Sequence, residues 1–198
     1  SYQKNHMRQH KLLAQLKNQV EQNIHTVEEK FAPLPEDLLN QKPGPDRWSI
    51  LECLEHLNYY DQFYLTEVQE KLDKASPRKS PSQDYRPGWM GGYSARSMKP
   101  KHGQIKNRMN TFAKMDPAKQ SSGLDRSVLV KFLENQRAWM EILEKAETAD
   151  LNKNRVPTTL SRWIRFKLGD MLRFLLNHAE RHVLQAERVS KEVTPQDR

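Results

Sequence analysis

Four stretches of this chain repeat apolar residues every third or fourth position, and no stretch shows a competing strand pattern. That periodicity leaves little besides helices packed through their apolar faces. The first stretch runs from about Asn5 to Phe31, with Leu13, Leu16, Val20, Ile24, Val27 and Phe31 as its stripe, and it stops before Pro33 and Pro35. The second opens after the turn-rich Pro43-Gly44-Pro45-Asp46-Arg47. Its start is sharp, because Ser49 and Glu52 have the spacing of a reciprocal capping box. Ile50, Leu54, Leu57, Tyr64 and Val68 then mark its core face, and it fades near Lys74. The third runs from about Ser127 to Thr148 through Val128, Phe132, Gln136, Trp139, Leu143 and Ala146. The fourth runs from about Gly169 to Lys191, with Asp170 placing a carboxylate in the first turn.

Between the second and third helices, from about Ala75 to Gly123, prolines and glycines break the pattern. A structureless segment of that length is unusual inside a compact domain. Trp89, Met90, Tyr93, Met98, Met109 and Phe112 give it apolar anchors that a disordered linker lacks. It reads as an ordered crossover with short helices, packed along the other elements, with Trp89, Tyr93 and Phe112 its most buried residues. The expected fold is all-α: a four-helix bundle with one long crossover between helices 2 and 3. At 198 residues, a single domain over 1–198 is expected.

Composition narrows the function. No run approaches the roughly 18 apolar residues of a membrane span. The N-terminal residues lack a signal-peptide core, and the single cysteine, Cys53, excludes an internal disulfide. Both features point to a reducing, cytoplasmic setting without membrane association. The formal net charge is +8, but the basic residues are spread along the chain without a helix-turn-helix, zinc-finger or RNP pattern. A solvated surface, rather than a nucleic-acid interface, is the reading that follows.

The fourth helix carries His178 and His182, spaced so that both imidazoles point the same way, about 6 Å apart along the axis. Met171, Leu175, Ala179, Val183 and Ala186 recur beside them, so the pair sits at or near the buried stripe. A metal ion with a third ligand from another helix would satisfy two neutral imidazoles there. The plainer alternative is two half-exposed histidines on a helix flank. The pair is not the zincin H-E-x-x-H, because Ala179 occupies the glutamate position.

On the second helix, Trp48, Ser49, Glu52 and His56 spell W-S-x-x-E-x-x-x-H, and on the fourth His178, Arg181, His182 and Gln185 spell H-x-x-R-H-x-x-Q. In motifs, order and helical context the chain resembles the DinB-like superfamily, including its YfiT-type members. The resemblance covers roughly Leu38 to Val68 and Trp163 to Val189, and is weak through the crossover. It implies an up-down-down-up four-helix bundle, often a homodimer. It also implies a divalent metal, zinc or nickel, held by His56, His178 and His182. Relatives of that kind include thiol-dependent transferases and isomerases and metal-dependent hydrolases acting on small molecules.

Three imidazoles leave a coordination position open, where a water or thiol becomes a usable nucleophile. The expected function is therefore a metal-dependent small-molecule enzyme, a hydrolase or an S-transferase using an exogenous low-molecular-weight thiol. The alternative is a non-catalytic metal-binding bundle serving as a stress-related binding or dimerisation module.

The catalytic groups are left open. Tyr60 follows His56 by one turn, and His25 stands at the right height on the first helix; both are candidates for the pocket. His6 and His10 form a second H-x-x-x-H but belong to the far end of that helix, on the order of 20–27 Å away at about 1.5 Å per residue. Cys53 and Glu52 read as a packing residue and a capping residue. Arg181 and Gln185 are candidates for contacts to substrate or to a neighbouring helix.

Overall fold

The structure, a computed structural model, describes residues 7–105, 110–120 and 123–196. His6 and Met109 lie outside them. The chain runs through β1 (Met7–Arg8), α1 (Gln9–Thr26), a π-helical turn (Val27–Phe31), α2 (Glu36–Asn40) and α3 (Ile50–Asp73). It continues through β2 (Asp84–Tyr85), α4 (Trp89–Met98), a 3-10 turn (Ala113–Met115) and α5 (Pro117–Gln120). It ends with α6 (Ser127–Ala146), β3 (Arg155–Pro157), β4 (Arg165–Lys167) and α7 (Leu168–Val193). The protein is mostly helical, and α1, α3, α6 and α7 follow the four periodic stretches closely. No helix among the described residues is long and apolar enough to cross a membrane.

The capping box forms: the Glu52 amide donates to Ser49 Oγ at 3.1 Å, and the Ser49 amide donates to Glu52 Oε1 at 3.0 Å. It sets the phase of α3 and buries Ile50, Leu54, Leu57, Tyr64 and Val68 together. Side-chain pairs give the helix directions. Gln19 meets Asn177 and Glu180, and Lys30 meets Glu187, so α1 and α7 run the same way. Lys17 meets Glu147 and Glu28 meets Arg137, so α6 runs against α1. Asn58 meets Asn135 and Asp61 meets Trp139, so α3 and α6 are parallel.

Two strand pairs join these helices. β1 pairs with β2, and β3 with β4, both antiparallel. They lay outside the sequence expectation because each strand is two or three residues long. In the β3–β4 pair only Val156 and Phe166 turn fully inward, which is too little to register as alternation.

The crossover is ordered where described, but its expected anchors are not buried. Trp89 is 92% exposed, Tyr93 68% and Phe112 61%. The side of α4 against α7 is small instead: Gly91 lies against Asp170, and Gly92 and Ala95 are also buried. Asp170 of α7 takes the place a larger residue would need. Its carboxylate accepts from Tyr85 Oη and, at 2.9 Å, from the Gly88 amide. The large side chains are thereby turned outward.

The hydrophobic interior divides into two clusters. One contains Leu12, Leu16, Tyr64, Trp139, Ile142 and Leu172; the other contains Val27, Phe31, Leu54, Phe132, Val183 and Ala186. Buried polar residues stand at or beside the junction of the two clusters along each helix. They are Asn23 on α1, His56, Asn58 and Asp61 on α3, Asn135 and Gln136 on α6, and Asn177, His178 and Arg181 on α7. Asp61 Oδ1 accepts from Trp139 Nε1 at 2.9 Å, while Oδ2 has no hydrogen-bond partner among the described residues. Burial pushes this carboxyl up to about 7, against the opposing donors of Trp139 and Asn135.

A methyl group at Gly91 would lie 2.7 Å from Asp170 Oδ2 and 2.8 Å from its Cβ. Gly91→Ala should therefore lower stability by about 1–3 kcal/mol in denaturant melts. Gly44→Ala, which meets only ordinary contacts at 3.5 Å, is the matched control.

The Asp61 carboxyl holds its proton more tightly when folded than when unfolded. Its contribution to stability is full below about pH 4 and is lost as pH rises to about 7. Asp61→Asn should remove this decline, leaving stability unchanged near pH 3.5 and raising it by about 2 kcal/mol or more at pH 8.

Candidate metal centre

His56 lies seven residues after the Ser49 cap, on the second turn of α3, and His178 and His182 lie one turn apart on α7. The three side chains converge, and their nearest ligand atoms all lie within 4.8 Å of one another. His178 Nε2 is 3.1 Å from His56 Nε2 and 3.1 Å from His182 Nε2.

The tautomers follow from the outer partners. His56 Nδ1 faces the Met115 carbonyl oxygen at 2.7 Å, and a carbonyl only accepts, so Nδ1 carries the hydrogen. His182 Nδ1 donates in the same way to Gln185 Oε1 at 2.8 Å. Both rings then present a bare Nε2 lone pair toward His178. One proton on His178 Nε2 can satisfy only one of those two contacts, leaving a lone pair facing a lone pair. A cation resolves this, and the spacing suits one. Metal–nitrogen bonds of about 2.0–2.1 Å put adjacent ligand nitrogens about 3.0–3.4 Å apart.

Protonation does not compete strongly for the site. Burial pushes His56 down to about 4, opposed by the Met115 carbonyl and by Asp116. His178 and His182 are held well below the usual imidazole range, first by burial and then by the charge each would feel from neighbouring imidazoles and Arg181. The neutral rings are the form that ligates metal.

Aromatic rings close around the cluster. Trp48 lies 5.0 Å from His56 and 5.8 Å from His182 between ring centroids. Tyr60 lies 4.5 Å from His178, and Phe174 stacks on His178 at 6.0 Å. Burial raises the Tyr60 hydroxyl to about 12, so it remains protonated.

Both sequence motifs thus acquire parts. Trp48 covers two rings, Ser49 and Glu52 cap the helix, and Gln185 orients His182. A profile of the DinB superfamily matches residues 19–186. The chain belongs to the DinB superfamily. No curated protein and no solved structure matched it.

Of the other residues singled out from sequence, Tyr60 stands beside the histidines. His25 is exposed on α1, and the ring neighbours of the cluster are Trp48, Tyr60 and Phe174 instead. His10 is exposed at the start of α1. Cys53 is fully buried with its thiol pushed up by desolvation, which fits packing rather than reactivity. Arg181 is buried in the polar layer. Sequence reasoning missed Met115, whose contribution is a backbone carbonyl and leaves no side-chain signal. It also missed Phe174, one turn before His178 at the spacing that places side chains on one face.

Gln185→Leu removes the acceptor that fixes His182 without touching a metal-facing atom. Metal affinity should fall about 10–100-fold with little change in far-UV circular dichroism. Competition with a chromophoric chelator measures the change.

Proposed function

We propose that His56, His178 and His182 hold one divalent ion, zinc or nickel, and that the chain uses it as a small-molecule enzyme, a hydrolase or a thiol S-transferase. The observation that carries this reading is the meeting of three neutral imidazoles through Nε2, two of them with Nδ1 already committed to an outer acceptor. A divalent ion at that place supplies Lewis acidity, drawing the pKa of a water or an exogenous low-molecular-weight thiol toward neutrality.

The chain's residues supply the rest. Met115 and Gln185 hold two rings in the ligating tautomer. Trp48, Tyr60 and Phe174 keep the surroundings apolar, which strengthens electrostatic interactions there. Tyr60, protonated at neutral pH, acts as a hydrogen-bond donor to the substrate rather than as a base. The helix directions support an up-down-down-up bundle in which α3 and α7 oppose each other and bring the ligands to one level.

Protein purified without an affinity tag should contain close to one zinc or nickel per chain by elemental analysis. His56→Ala, His178→Ala and His182→Ala should each abolish that stoichiometry yet still melt cooperatively, because two apolar clusters remain. Their melting temperatures should fall by the amount that ion occupancy contributes. His10→Ala should change neither property. The metal-loaded protein is then screened for hydrolysis and, with added thiols, for S-transfer, with His178→Ala as the blank. Full metal in His178→Ala would sink the ligand assignment. Metal bound without turnover in either screen would favour the non-catalytic binding module.

A further inference from the structure

A groove of about 740 Å³ lies among α1, α4 and α7, and none of the three histidines lines it. Arg173 and Asn177 of α7 look into it, one turn apart. Its floor is apolar, formed by the buried Leu12, Leu16 and Tyr85. Every charged residue along it is a cation: Arg96, Lys99, Lys101 and Arg173.

Lys99 is paired with Glu180 at 2.5 Å. Arg96, Lys101 and Arg173 have no carboxylate within ion-pair distance among the described residues. Arg173 is held in place nonetheless. Its Nη1 donates to Tyr85 Oη at 3.1 Å, and its guanidinium lies 5.7 Å from the centre of the Tyr85 ring. Tyr85 is itself fixed by donating to Asp170. A guanidinium positioned this way loses little side-chain freedom when it binds an anion. Tyr93, which the crossover leaves outward, forms part of the wall.

A concave site with an apolar floor, whose charged lining residues are all cations, fits a ligand with an apolar body and a compact negative charge. We propose that this groove binds an organic phosphate monoester, the phosphate among Arg96, Lys101 and Arg173 and the organic group over Leu12, Leu16 and Tyr93. The two halves of the groove make separable contributions. The cations recognise phosphate and weaken with salt, while the floor distinguishes an ester from the bare ion.

The test uses the protein as purified, titrated by calorimetry and amide-detected NMR with phenyl phosphate and with inorganic phosphate. Phenyl phosphate is expected to saturate one site, to bind several-fold tighter than inorganic phosphate, and to weaken as salt rises. Shifts should centre on Gln19, Ser97, Lys101 and Asn177. An Arg96→Gln, Lys101→Gln double variant, altered only at exposed positions, should weaken binding about tenfold or more. His178→Ala should bind phenyl phosphate as the parent does, which separates this groove from phosphate captured by a metal.

Absence of saturable binding overturns the proposal. Equal affinity for the two probes, or undiminished affinity in the double variant, does so as well. Loss of binding in His178→Ala places the anion at the metal centre and overturns it too. If the double variant melts lower than the parent, the location of the shifts in the parent protein decides.

Discussion

The structure turns on a buried polar layer that crosses all four long helices at one level. Asn23, His56, Asn58, Asp61, Asn135, Gln136, Asn177, His178 and Arg181 are all nearly inaccessible to water, with apolar clusters on both sides. Most polar groups there satisfy one another, with Asp61 Oδ2 and Gln136 Nε2 the exceptions among the described residues, and losing a partner costs more than a hydrogen bond returns. The helices are therefore fixed in height as well as in direction. A slide of one turn would place an amide of one helix against a leucine of the next. The histidines inherit this register, so the alignment of His56 with His178 and His182 is part of how the helices are locked together.

Much of this was legible in the chain. Periodicity located all four long helices, and the Ser49–Glu52 spacing located the start of α3 to the residue. His178 and His182 stand out by their four-residue spacing beside an apolar stripe, and His56 by the motif it shares with the DinB-like superfamily. The amides of the polar layer interrupt the same stripes and carry the same kind of signal. Gln136 was read as part of a core face, whereas Asn23, Asn58 and Asn135 drew no attention. An amide in a helix is ordinary until its neighbours across the core are known.

The crossover departs from its sequence expectation for a physical reason. Bulky apolar residues predict burial only when there is room for them. Asp170 of α7 lies so close to α4 that a side chain at residue 91 would collide with it, and Trp89 and Tyr93 are left outside. The short β3–β4 pair was invisible because one inward residue per strand makes no pattern. Tertiary packing decided both, and neither depends on the propensity of the segment itself.

The bond from His56 to the Met115 carbonyl gives the site an unusual mutational profile. A main-chain oxygen survives substitution of its own side chain, so residue 115 is free to vary in identity while its position is not. What orients His56 is where the Ala113–Met115 turn lies against α3. Displacing that turn would disturb the histidine cluster more than exchanging the side chains within it.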